Sequence, residues 1–333
     1  MPVPDPHVLT AAEVPAVPHP ALICEVAPTG STVHRSGPCT AVGFQQVFNG
    51  TYYSYVTRTT NVWSAGRSTD VTQERWGNYP AVGESDYNRT SQHRIYDANG
   101  RLFETVGADD HFQSPDTMYS ESTRTVIDYA YDAGDKLASS TTRARAMWPY
   151  QSPDQVPENK WWTDLYFVDA RGTAFLRDRI LFVGTTYSLG PNDFTVYPDG
   201  MVKTAIAYLF KDSWGSIENI DTSSFDESGL LLEHDVTAFD RFGRQYHTSS
   251  TYEYSGGRIT NVVTVDPDEK RVTTVYTYDA AGNNVARVET DASGSIKSSW
   301  TGIYDRGGNL VCESTADDTG ALSNIVHYDY SCF

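Results

Sequence analysis

The residues of this 333-residue chain whose types could carry chemistry gather in two stretches. The first runs from Arg75 to Tyr119 and holds Trp76, Tyr79, Tyr87, Arg89, His93, Arg94, Asp109, Asp110, His111 and Tyr119. Asp109-Asp110-His111 offers a general base beside an orienting carboxylate, and Tyr119 or Arg124 can neutralise a developing oxyanion or enolate. His93-Arg94 pairs an imidazole with a cation in the same way. The bland alternative is a polar loop with surface histidines, which a lone imidazole more often marks. The second stretch runs from Trp148 to Lys160 with Trp161 and Trp162 following, and reads as a long polar, proline-containing loop with an aromatic at each end. Trp148, Tyr150, Trp161 and Trp162, together with Trp76, offer flat faces on which a sugar ring or an aromatic ligand can stack. Large aromatics also fill cores and cover sheet faces, so the same residues are equally consistent with packing.

Other chemical templates fail. There is no Gly-x-x-x-x-Gly-Lys phosphate loop, no His-Glu-x-x-His pair and no Gly-x-Ser-x-Gly elbow. Asp97-x-Asn99-x-Arg101 begins like a calcium loop, but puts arginine where an oxygen ligand belongs and has no glutamate at the twelfth place. No Cys-x-x-Cys pair supports zinc or redox chemistry. No metal ligands and no cofactor are therefore expected. Serine, histidine and carboxylates are all present, but their linear order does not reveal whether a triad forms.

The elements that must position these side chains announce themselves as a repeat. Asp-x-x-Gly occurs at Asp97-Gly100, Asp169-Gly172, Asp226-Gly229, Asp240-Gly243, Asp279-Gly282, Asp291-Gly294, Asp305-Gly308 and Asp317-Gly320. Tyr96, Phe225, Phe239, Tyr278 and Tyr304 precede five of these aspartates, while Tyr131-Asp132 and Tyr328-Asp329 keep the aromatic-Asp pair without the spaced glycine. Aspartate at the first position accepts hydrogen bonds from the backbone two residues on, and glycine supplies the positive φ that closes a bulged hairpin. Successive glycines from Gly229 to Gly243 to Gly257 are 14 residues apart, and from Gly282 to Gly294 to Gly308 to Gly320 they are 12, 14 and 12 apart. The gap of 25 between Gly257 and Gly282 holds Asp266-Pro267-Asp268, a further turn. Such spacing requires strands of roughly 6 to 9 residues. Residues 246–254, 259–265, 272–278 and 298–304 are rich in Thr, Val, Ile and Tyr and suit a pleated surface. Helical periodicity is confined to Val8 to Val14, where Pro15 stops it.

Units such as Tyr96-Asp97-Ala98-Asn99-Gly100-Arg101-Leu102, Tyr278-Asp279-Ala280-Ala281-Gly282-Asn283 and Tyr304-Asp305-Arg306-Gly307-Gly308-Asn309-Leu310 resemble the YD repeats of bacterial Rhs proteins, toxin-complex subunits and animal teneurins. The resemblance spans residues 91–333, is dense from Ser224 onward and loose between Trp148 and Asn219. In that family the repeats wind into a β strip that curls into a hollow shell around a toxin or plug. The family's shells use many more repeats, so a stand-alone chain of this length is expected as a small barrel, a sandwich or a curled sheet.

The expected fold is thus all-β, an antiparallel meander in a single domain over 1–333. Residues 1–45 are expected as an irregular segment covering an edge that would otherwise invite aggregation, with hairpin repeats over 91–333. The formal charge of −18, from 43 acidic and 25 basic residues, repels phosphate backbones and anionic headgroups. Nucleic acid and membrane surfaces are accordingly poor partners, and a small molecule or glycan the better one. No segment approaches the roughly 20 apolar residues of a membrane helix. The proline-rich N-terminus is not a signal peptide, which leaves the cytoplasm or export with a leader already removed. Cys24 with Cys39, and Cys312 with Cys332, are near enough in sequence to bridge, which suits export; all four reduced and buried is the alternative. Asn49-Gly50-Thr51 and Asn88-Arg89-Thr90 match the glycosylation sequon, too short a pattern to fix a compartment. Three functions fit these residues. They are a glycan-handling protein, either lyase or binder; a cyclase or isomerase working in a β cavity with a Tyr or His acid-base; and an interaction or encapsulating module.

Overall fold

The computed structural model describes residues 2–19, 21–24, 35–48, 52–79, 84–114, 120–147, 159–181, 187–188, 192–210, 217–240 and 242–332. The chain is all-β, with one short 3-10 turn at Ala11–Glu13 that ends before Pro15. The first half contains β1 (Thr40–Phe48), β2 (Tyr52–Ser64), β3 (Arg67–Tyr79), β4 (Glu84–Tyr96), β5 (Leu102–Ser114), β6 (Glu121–Tyr131), β7 (Leu137–Met147), β8 (Asn159–Val168), β9 (Ala174–Leu181) and β10 (Tyr187–Ser188). The second half contains β11 (Asp193–Val196), β12 (Val202–Phe210), β13 (Ile217–Phe225), β14 (Leu231–Phe239), β15 (Gln245–Ser255), β16 (Arg258–Val265), β17 (Arg271–Tyr278), β18 (Asn284–Asp291), β19 (Ile296–Tyr304), β20 (Leu310–Asp317) and β21 (Leu322–Asp329).

From β1 to β10 and again from β11 to β21 each strand pairs antiparallel with the next, and β1 pairs on one side with β2 and on the other with β21. The sheet therefore runs unbroken from β11 through β21 and β1 to β10, and closes into a nearly complete barrel. Residues 40–45, expected as part of an irregular segment, belong to β1, the strand that joins the two halves. The accessible surface is 18800 Å², against about 14,000 Å² for a compact monomer of this mass. The excess fits a wall one sheet thick that meets water along much of both faces, the N-terminal segment covering part of one.

The hairpins explain why the wall forms. In each Asp turn the first aspartate's amide donates to the carbonyl four residues on, and the fourth residue's amide donates back to the aspartate carbonyl, as at Asp97 with Arg101 and Gly100 (both 2.9 Å). The carboxylate then accepts two further amides, Asn99 and Arg101 at Asp97, and Gly307 and Asn309 at Asp305. All eight predicted Asp-x-x-Gly glycines adopt positive φ, from 76° to 91°. Where the glycine is missing the turn persists: Asp135 (φ 61°) and Glu269 (φ 63°) occupy the same place after Asp132 and Asp266.

Tyrosines before the turns join hairpins at one rim. Tyr96, Tyr131, Tyr254, Tyr278, Tyr304 and Tyr330 each donate a hydroxyl to a carbonyl at the start of an earlier strand, over 2.8–3.1 Å. At the opposite rim the Asp turns after β14, β16, β18 and β20 lack tyrosine, and the connections between β1 and β8 there lie outside the described residues.

The wall is thinnest between β9 and β12, inside the stretch where the repeat is loose: β10 pairs with β9 at two positions and β11 with β12 at four, and among the described residues no ladder joins β10 to β11. Asn192 stitches this seam: its amide donates to the Arg177 carbonyl (2.7 Å), its side-chain amide to the Leu176 carbonyl (2.8 Å), and its side-chain oxygen accepts the Tyr208 amide (3.0 Å). Phe194 stacks on Phe167 across the same seam, with centroids 5.4 Å apart.

The disulfides differ from the sequence-local pairs expected. They are Cys24–Cys312 and Cys39–Cys332, 288 and 293 residues apart in sequence. Because β1 lies beside β21, the N-terminal segment is held against the C-terminal strands, and the cysteines meet across the chain rather than within either end. The segment before β1 covers a sheet face rather than an edge. Leu9 packs on Trp76, Tyr87 and Phe112, His7 donates its amide to Ser122 (3.0 Å), and Asp5 pairs with Arg145.

Two consequences can be measured. Glu269→Gly relieves a left-handed conformation at an exposed turn and should raise stability to denaturant by about 0.5–1 kcal/mol; a neutral or negative change would contradict the strain assigned to it. Hydrogen bonds from the Asn283 side chain and amide hold the Asp279 carboxyl below its ordinary value of 3.8, and the Asp226, Asp291 and Asp317 carboxyls are lowered by Ser228, Ser293 and Thr319 in the same manner. A depressed folded pKa stabilises above the unfolded value and is lost as pH falls through the folded one. Thermal unfolding should therefore move to lower temperature below about pH 4, and Asp279→Asn should flatten that dependence.

Candidate functional site: a polar groove across β2 to β4

Strand alternation sorts the side chains of β2, β3, β4 and β5 onto two faces with opposite chemistry. On one face Val56, Trp76, Tyr87 and Phe112 stand in register across the four strands and take Leu9 from the N-terminal segment. The Trp76 indole donates to the Pro15 carbonyl (3.1 Å), which pins the segment over this cluster. Next to the cluster lies an ionic ladder. Glu74 accepts Arg58 (2.6 Å) and the Tyr87 hydroxyl (2.8 Å), while Asp110 accepts Arg89 (2.8 Å), Arg124 (2.5 Å) and Ser122 (2.8 Å). Asp110 is fully buried, and burial followed by the Glu74 hydrogen bond pushes the Tyr87 phenol well above its ordinary range.

The opposite face is polar. Thr57, Arg75, Asn88 and His111 form one cross-strand row, and Thr59, Gln73, Thr90 and Asp109 the next. A cavity of about 420 Å³ is lined there by Thr57, Thr59, Gln73, Arg75, Asn88 and Thr90. A second, of about 260 Å³, is lined by Val71, Gln73, Thr90, Gln92 and Arg94. The two share Gln73 and Thr90 and so form one groove along the strand direction. From Asn88 to Arg94 on β4 it extends about 20 Å at roughly 3.4 Å per residue. Tyr55 lies on the same face beyond Thr57, its ring 4.9 Å from the Arg75 guanidinium, which also lies 3.5 Å from Asp86. Asn88 donates to Asp109 (3.2 Å), which fixes its amide along the groove.

The sequence candidates scatter over these two faces. His111 sits on the groove face beside Asn88, but Asp110, its neighbour in sequence, points to the other side, because adjacent residues of a strand alternate. Arg124 belongs to the Asp110 face and is opposite His111. His93 lies with Arg124 instead: its Nδ1 is 2.6 Å from Asp70, and both residues line a cavity of about 260 Å³ roofed by Pro4. Trp76 is core and does not face solvent. Trp162 lies 5.2 Å beneath the Arg179 guanidinium. Tyr119, Trp148 and Tyr150 lie outside the described residues, as does the side chain of Trp161. Among the described residues no cluster of histidine, cysteine and carboxylates has the makings of a metal site. The groove residues Thr57, Thr59, Gln73, Asn88 and Thr90 were missed by motif reading. The sequence holds no signal for them: residues 57–61, 72–75 and 88–94 are polar without a break, so strand register alone decides which side chains face the groove.

Asp110→Asn should leave Arg89 and Arg124 without their shared counter-charge and cost about 3–5 kcal/mol of unfolding free energy. A loss under 1 kcal/mol in equilibrium denaturation would show that the ladder does not brace the wall.

No family model matches the chain, and no curated protein matches it. Among solved structures, a porin-like protein from Bacteroides uniformis aligns over 90% of this chain and 98% of its own, at 11% identity and a TM-score of 0.30.

Proposed function

We propose that the chain binds a glycan along the β2–β4 groove. The observation that carries this reading is the continuity of two cavities whose lining residues, Glu74 and Val71 apart, carry hydroxyl, amide or guanidinium groups, with a tyrosine ring near one end. Sugar hydroxyls are paired donors and acceptors, and planar side chains such as Asn88, Gln73, Gln92 and Arg75 meet them two bonds at a time. Tyr55 offers a face for the apolar side of a terminal ring. An elongated, open slot suits a chain of residues more than a single compact metabolite.

A lyase is the second reading, favoured by the register of His111 with Asn88 and Arg75 on the groove face. Here His111 would take the proton beside a uronate, and Arg75 rather than Arg124 would neutralise the carboxylate, since Arg124 is on the far side of the wall.

Affinity electrophoresis and calorimetry against a panel of neutral and uronate polysaccharides test the proposal. Binding to at least one polymer is expected, with Arg75→Ala weakening it about tenfold through loss of a charge-assisted hydrogen bond, and Gln73→Ala weakening it less. Failure of every polymer to bind, or an unchanged affinity in Arg75→Ala, would overturn it. Release of an unsaturated product absorbing in the ultraviolet, lost in His111→Ala, would promote the lyase reading; binding without product would dismiss it.

A further inference from the structure

A further cavity lies on the face opposite the groove, near the tyrosine rim, and its chemistry is unlike that of the groove. It measures about 460 Å³ and is lined by Leu137 and Ser139 of β7, Leu165, Tyr166 and Phe167 of β8, the cations Lys136 and Arg177, and one carboxylate residue, Asp132. Leu165 stands in register with Ser139, which places both on the face that carries Arg143 and Arg145, away from the groove. The apolar wall continues beyond it, because Phe167 stacks on Phe194 and Phe175 meets both Phe194 and Phe225 edge-on.

Arg177 owes its position to a bulge. Leu165 pairs with Asp178 and Tyr166 with Leu176, so Arg177 is the extra residue of β9 and is turned out of the ladder toward the cavity. Its backbone carbonyl is held by Asn192 (2.7 Å), but its guanidinium makes no ion pair among the described residues. The neighbouring Arg179, by contrast, is closed on Asp164 (2.6 Å). Lys136 is anchored at the mouth by the Asp169 carbonyl (3.2 Å), a neutral acceptor, while the Asp132 carboxylate in the same lining accepts the amides of its own turn, Gly134 and Lys136. On a chain of net charge −18, two cations against one turn-bound carboxylate, above a leucine and phenylalanine wall, leave this cavity locally positive and apolar.

We infer that this cavity binds an amphipathic monocarboxylate, such as a medium-chain fatty acid or an aryl-alkyl acid. The apolar body lies against Leu137, Leu165 and Phe167, and the carboxylate meets the Arg177 guanidinium, whose paired N–H groups match its two oxygens. Lys136 adds a point charge from the side. The site is independent of the glycan groove, since the two open on opposite faces.

Titration calorimetry with decanoate, below its micelle-forming concentration, tests the assignment. Saturable one-site binding is expected, at least tenfold weaker in Arg177→Gln and partly regained in Arg177→Lys, with Arg75→Ala leaving it unchanged. Decanol, which has the same chain without the charge, should bind much more weakly. Ser139→Trp fills the cavity from β7 and should abolish binding in a protein whose circular dichroism is unaltered; if it does not fold, the Arg177 variants decide alone, since that side chain lies outside the core. Absence of decanoate binding, equal affinity for decanol, or an Arg177→Gln affinity equal to that of the unaltered chain would overturn the inference.

Discussion

The wall depends on one small arrangement made repeatedly: a carboxylate held against the backbone of its own turn. At Asp132, Asp169, Asp240, Asp266, Asp291, Asp305 and Asp317 the same oxygen accepts the amides two and four residues on. Each turn so satisfies the amides that a tight reversal leaves without strand partners. A sheet with much of both faces in water cannot rely on a thick core, so it needs its register set locally, and a turn of constant shape does that strand by strand. Tyrosine then couples one hairpin to another at a single rim, which turns a string of independent ribbons into a wall.

Closure requires something the repeat cannot supply. A meander of hairpins leaves two edges, and exposed edges pair with other chains. Here β1 is inserted between β2 and β21, so the chain's two ends meet in the middle of the sheet, and Cys24–Cys312 and Cys39–Cys332 hold that junction. The remaining edges are β10 and β11, and beside them Asn192 links β9 to β12 through its side-chain amide. The N-terminal segment adds thickness where the wall is longest, over the 13-residue strands β2 to β5, and buries Trp76, Tyr87 and Phe112 there.

Bracing one face leaves the other available. The apolar cluster and the ionic ladder absorb the side chains behind β3 and β4, and the alternate residues, Gln73, Arg75, Asn88, Thr90 and Gln92, stand into the groove. The residues that looked most reactive in sequence are divided by this arrangement: Arg124 and Asp110 serve the ladder, while His111 faces the groove.

By itself the sequence determined the fold class, the turns and most strand boundaries from β13 onward, because an Asp-x-x-Gly unit acts on its own few residues and asks nothing of distant ones. It also marked the rim, since the aromatic precedes the aspartate chiefly at alternate turns. Only the tertiary structure decided which cysteines pair, where the sheet closes and which polar residues converge. Those outcomes join residues 288 or 293 positions apart at the disulfides, or residues on three neighbouring strands at the groove. Their partners are chosen by the closing of the whole wall, and no local spacing records that choice.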